Sequence, residues 1–180
     1  EAARRLCGRP CEKHEAWYIL DAVSSGVIYR GLASGVTVEA LAAAMARRPE
    51  AIVEGLRKIP VRAGDSFYLP AGTVHALGAG VVVAEVQTPS DITFRLYDWG
   101  RTRPPGDAGL HVGEGLACVR PDVDFRAHEG RSHVSRGFTT VTRLVTCPSF
   151  IIEKVRFVEG VEMDIPYAEL VCWIVLEARG

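Results

Sequence analysis

The 180-residue sequence predicts a mainly β fold, on three observations. Short runs rich in β-branched and aromatic residues recur between residues 59 and 97, separated by turns. Two more such runs lie at residues 16–20 and 27–29. The most marked change to helical period, after Thr37, is brief. This density of strands and turns suits a sandwich or barrel and argues against a parallel α/β sheet.

Taken in order, Ala16-Trp17-Tyr18-Ile19-Leu20 is apolar and rich in strand formers. Val27-Ile28-Tyr29 answers it across a turn at Ser24-Ser25-Gly26. Thr37 is then the N-cap of a helix whose Val38, Leu41, Ala42 and Met45 share one face. Pro49 ends or restarts that helix, and residues 51–56 form a second short one. This small helical insertion is expected to cover one end of the sheet. Strands follow at 59–61, 66–69, 74–77, 81–87 and 93–97. Residues 98–107 form a loop around Pro104-Pro105-Gly106. A modest helix is expected at 110–119 and a polar connector at 121–136, carrying His128 and His133. Three more strands, 138–145, 150–157 and 170–176, read as the opening of a second sheet. No short-period repeat or low-complexity tract is visible.

Composition narrows the function classes. An apolar share of 48% and a charged share of 24% are those of an ordinary soluble domain. A net charge of −1, with scattered Arg residues, gives no reason to expect nucleic acid or an anionic membrane as partner. No apolar run is long enough to span a bilayer. The five Cys are widely spread; Cys7 and Cys11 are too isolated for a zinc knuckle, so the thiols read as free in a reducing cytoplasm.

The segment from Gly64 to Gly78 carries the strongest chemical signal. Gly64-Asp65 opens a turn, residues 66–69 form a strand, and Pro70-Ala71-Gly72 forces a second turn, with His75 just beyond it. A hairpin of that kind would aim the imidazole as a metal ligand needs. A lone His after a turn is equally the pattern of a surface residue. Carboxylates and imidazoles together suit a divalent cation such as zinc, and the candidates near strand ends are Glu15, His75, Glu85 and His111. Alternation puts Lys13 and Glu15 on one face, either lining a cavity or forming a solvated charge cluster. Glu85, inside an apolar strand, must be paired, face a cavity or sit at an edge. Arg95 alternates with Phe94 and Leu96. If those two pack under a helix, Arg95 points inward, where it would serve an anion or a carboxylate. Otherwise it is a surface Arg on a half-exposed strand.

Gly64, Pro70, Gly72 and His75 match the second signature motif of the cupin barrel. Three segments narrow the match: Lys13-x-Glu15-Ala16-Trp17-Tyr18-Ile19-Leu20, the stretch from Pro70 to Gly78, and Glu85-x-Gln87-x-x-Ser90-Asp91-x-Thr93-x-Arg95-x-Tyr97-Asp98. In this order they resemble the type I mannose-6-phosphate isomerases, most of all the short bacterial form. The resemblance implies a cupin-type (jelly-roll) β-barrel with a small helical insertion, plus the beginning of a second cupin-like lobe. Residues 1–101 would be the catalytic lobe without its N-terminal part, 102–137 a connector with a short helix, and 138–180 the start of the second lobe. It also implies a cytoplasmic zinc enzyme that interconverts mannose 6-phosphate and fructose 6-phosphate through a cis-enediol(ate). Glu15 and His75 match two zinc ligands, Arg95 the catalytic arginine and Lys13 a lysine beside the substrate. Glu85 matches no ligand, which leaves it a supporting role.

The departures matter as much. The family's Gln-x-His pair of metal ligands is absent: nothing in residues 1–12 resembles it, and no Gln precedes Gln87. A catalytic zinc normally has three protein ligands. Before Leu110-His111, Ala108-Gly109 stand where the family has Arg-Glu. The sequence therefore reads as an internal fragment of a longer isomerase, with little or no activity by itself. The alternative is a non-catalytic cupin module that binds a sugar phosphate. A metal-dependent dioxygenase would want iron and more His ligands than this chain provides.

Overall fold

A strand at Glu15–Ala22 (β1) organises the fold, because its first half is buried on both faces. The computed structural model describes residue 5 and residues 12–104, 106–107, 109–162, 164 and 170–178. β1 lies between Ser66–Leu69 (β4) and Val81–Gln87 (β6), antiparallel to both. Val27–Leu32 (β2) is central to a second sheet, between Leu56–Pro60 (β3) and His75–Leu77 (β5). β1 with β6 and β2 with β5 nest in the manner of a double-sheet jelly roll. Trp17, Ile19, Phe67 and Leu69 from the first sheet meet Ile28 and Val61 to form the core between them.

The mainly β, jelly-roll fold is as expected, and two points of its connectivity come from the strand pairings. β1 and β2 do not pair across the 24–26 turn; that turn is a corner that carries the chain from one sheet to the other. The sheets are also open, since no ladder among the described residues joins one to the other and closes a barrel. The fold is a sandwich of two three-stranded sheets held by side-chain packing.

The helical insertion lies between β2 and β3, which pair with each other. Thr37 caps helix α1 (Val38–Arg47), its side chain accepting from the Ala40 N–H at 3.2 Å. Pro49 begins a single 3₁₀ turn after α1, and a short helix α2 (Ile52–Gly55) follows it. Leu41 and Met45 of α1 join Ile52, Leu56 and Leu96 in a second core cluster. Helix α3 (Val112–Cys118) adds Val112 and Leu116 to its margin.

No strand forms at 93–97. The Arg95 carbonyl accepts from the His111 N–H at 2.8 Å, so the backbone there serves the start of α3 instead of a ladder. A third sheet is a meander of Ser132–Arg136 (β7), Thr139–Thr146 (β8) and Ile151–Phe157 (β9). β7 lies in the stretch expected as connector. Residues 170–176 form no strand either: this β-forming run meets no ladder partner among the described residues, and Trp173 contacts the Phe157 ring at 6.1 Å. Leu144, Val145 and Cys147 pack on Ala16 and Tyr68, the outer face of the first sheet. That packing explains why residues 16–19 are apolar throughout instead of alternating.

Candidate functional site

The local chemistry around His75 is as the sequence suggests, but its consequence differs. Gly64 and Gly72 both take positive φ, 93° and 87°, which few other residues tolerate. Asp65 accepts from the Arg62 N–H at 3.0 Å, and the Thr73 N–H closes the next turn on the Pro70 carbonyl at 3.0 Å. β4 and β5, however, belong to different sheets, so the 70–74 turn is a crossover and not a hairpin. It carries His75 to the sheet facing the one that holds Glu15.

There the two side chains meet. His75 Nε2 lies 2.9 Å from Glu15 Oε2, and Lys13 Nζ is ion-paired to the other carboxylate oxygen. The Thr73 carbonyl, 2.8 Å from His75 Nδ1, accepts from that nitrogen and leaves Nε2 to face the carboxylate. The Trp17 ring stands edge-on to the imidazole with centroids 5.2 Å apart. Its indole N–H donates to Glu85 Oε2 at 2.7 Å. Glu85 thus braces the tryptophan that packs on His75. Burial pushes the Glu15 carboxyl up, but the hydrogen bonds and charges of His75 and Lys13 outweigh it and hold the group below its ordinary 4.5.

Lys13, Glu15, Thr73 and His75 line a cleft of about 1040 Å³ that α2 and α3 also border, with Trp17 and Glu85 behind them. Arg95 is on its wall and exposed. Leu96 is buried against α3 at Gly115, with Phe94 beside it, and both reach the same cleft lining as Arg95. His111 is not on the lining: its ring meets Phe94 and its Nδ1 is buried without a hydrogen-bond partner. Sequence reasoning missed Thr73, which fixes the imidazole, and Tyr97, Trp99 and Arg120, which line the cleft. No sequence signal pointed to Arg120, whose Cγ would lie 2.7 Å from a Cβ at Gly72.

An imidazole nitrogen and a carboxylate oxygen converging on one point are chemically suitable zinc donors. They amount to two such donors; among the described residues no group of three His, Cys, Asp or Glu gathers. Cys7 and Cys11 lie outside the described residues. Cys118, Cys147 and Cys172 are free thiols. No helix among the described residues is long and apolar enough to cross a membrane.

No protein-family model matches the chain. Mannose-6-phosphate isomerase ManA of Bacillus subtilis is 34% identical over 144 residues, 79% of this chain and 44% of that protein. Mannose-6-phosphate isomerase of Streptococcus mutans is 32% identical over 153 residues, 84% of this chain and 47% of that protein. Among solved structures, the mannose 6-phosphate isomerase from Bacillus subtilis matches with a TM-score of 0.70 at 32% identity, covering 81% of this chain and 45% of that one. The chain spans about half the length of the curated relatives it matches.

Proposed function

We propose, for a chain homologous to the mannose-6-phosphate isomerases over about half their length and sharing their cupin fold, that it contributes part of the active cleft of an aldose–ketose isomerase. The substrates are mannose 6-phosphate and fructose 6-phosphate, and the compartment is the cytoplasm. The observation that carries this reading is the meeting of Glu15 and His75 from opposite sheets, with Lys13 beside them and Arg95 on the same cleft wall.

The reaction moves a proton between C1 and C2 and passes through an enediol(ate), so negative charge develops on the sugar oxygens. Glu15 and His75 would hold a zinc ion, which supplies Lewis-acid polarisation of those oxygens when bound. The Thr73 carbonyl accepts from His75 Nδ1, so Nε2, the nitrogen that meets Glu15, is the one that would bind the ion once its proton is displaced. Lys13 fixes one carboxylate oxygen of Glu15 and brings a positive charge to the floor of the cleft. Arg95 adds a second cation that cannot be deprotonated, suited to steadying the enediolate charge.

A second reading, a module that binds sugar phosphate without catalysis, is favoured by the count of two donors instead of three. A coupled assay on mannose 6-phosphate with added zinc separates the two in the intact protein. The isomerase reading expects turnover that Arg95→Ala abolishes, and little or none from these 180 residues alone. Sugar-phosphate binding without zinc uptake or turnover would refute it in favour of the module.

A further inference from the structure

We infer that Trp99 is the sugar-stacking platform of this cleft, an inference that rests on the sugar-phosphate reading above. Trp99 has a φ of 54° and is the one non-glycine residue with positive φ among those described. Gly100 follows at 69°, and the Arg101 N–H closes the turn on the Asp98 carbonyl at 2.9 Å. Two successive residues at positive φ make a mirror-image turn, in which Asn, Asp or Gly is the unstrained choice for the first position. A bulky aromatic there is a backbone outlier that persists only when its surroundings impose it.

The surroundings do so through Asp98, whose carboxylate takes ion pairs from Arg103 at 3.0 Å and Arg101 at 3.6 Å. The strain gains no core burial, since Trp99 remains 42% exposed. What it achieves is position. The indole lies on the cleft lining, 5.8 Å between centroids from both Tyr97 and Tyr29, which line the same cleft. An exposed aromatic wall in a cleft that also carries charged groups suits a ligand with one apolar C–H face and several hydroxyls, and a hexose phosphate is such a ligand. The charged groups hold the phosphate and the reacting oxygens, and Trp99 reads the carbon skeleton.

The test titrates mannose 6-phosphate, and separately inorganic phosphate, into the intact protein by calorimetry, for wild type, Trp99→Asn and Trp99→Phe, with thermal melts of each. Asn tolerates the left-handed backbone, so Trp99→Asn relieves strain while it removes the ring. The expected result is a two- to tenfold (about) loss of mannose 6-phosphate affinity, the range for one lost aromatic contact, with phosphate affinity and melting temperature undiminished. Trp99→Phe should stay within about twofold of wild type, because a face for stacking is retained. Unchanged sugar-phosphate binding in Trp99→Asn, equal loss of both ligands, or a clearly lowered melt would each overturn the platform while leaving the isomerase reading intact. Failure of the wild type itself to bind mannose 6-phosphate would remove the functional reading, and the platform with it.

Discussion

Removing Glu129 should destabilise this fold more than the loss of an ordinary surface carboxylate, because of what it leaves behind. Arg30, on β2, is buried, with its side chain 5% exposed. Its guanidinium is ion-paired to Glu129, donates to the Tyr68 carbonyl at 3.3 Å and lies 4.1 Å from the Phe125 ring centroid. The same carboxylate accepts from the Tyr68 N–H at 2.7 Å. β4 is the edge of its sheet, so the ion pair occupies both backbone groups of Tyr68 where a neighbouring strand would. Opposite charges about 4 Å apart at an effective dielectric of about 20 attract by about 4 kcal/mol. Breaking such a pair from one side leaves a buried charge unmatched and costs about 3–5 kcal/mol. Arg30 Nε already has no partner, so the guanidinium has little scope to compensate. Urea denaturation of Glu129→Ala should therefore show a loss in the range of about 3–5 kcal/mol, and Arg30→Met/Glu129→Met should recover most of it. A loss below about 1 kcal/mol for Glu129→Ala, the value of an exposed pair, would refute the reasoning. So would a double variant no more stable than the single one.

Three further outcomes are expected. Burial, with the Cys147 thiol close by, pushes the Tyr68 phenol up to about 12. A raised pKa contributes stability that is complete below the ordinary value of 10.0 and disappears as pH rises through about 12; following phenolate absorbance should show one of the five tyrosines ionising last, a phase missing in Tyr68→Phe. Gly72→Ala would force positive φ on a residue with a Cβ, and set that Cβ 2.7 Å from the Cys118 carbonyl oxygen. A loss of at least about 1–2 kcal/mol is expected in the same denaturation assay, and an unchanged midpoint would contradict it. Metal analysis of the dialysed intact protein should find zinc in the wild type and little in Glu15→Gln or His75→Ala; full zinc content in either variant would remove that residue from the site.

Local chemistry was legible in the residues themselves. The Thr37 cap, the Pro49 restart and the positive-φ glycines at 64 and 72 each act within a few positions of chain, so residue identity suffices to place them. The segments around Lys13, His75 and Arg95 could be matched in order for the same reason. Residues 93–97 and 170–176 show where this fails. Both carry strand-forming side chains, yet a strand needs a ladder partner. The first gives its Arg95 carbonyl to the start of α3, and the second forms no strand ladder among the described residues.

The sequence by itself determined the β class, the turns and the helical insertion, and it put Glu15 and His75 among four candidate metal donors. Only the tertiary structure decided that the turns at 24–26 and 70–74 cross between sheets instead of closing hairpins. The reason is that turn conformation is a property of four residues, whereas sheet membership is set by pairings between distant strands, such as Glu15 with Leu69 and Arg30 with His75. Those pairings place the Glu15 carboxylate and the His75 imidazole on facing sheets, 2.9 Å apart.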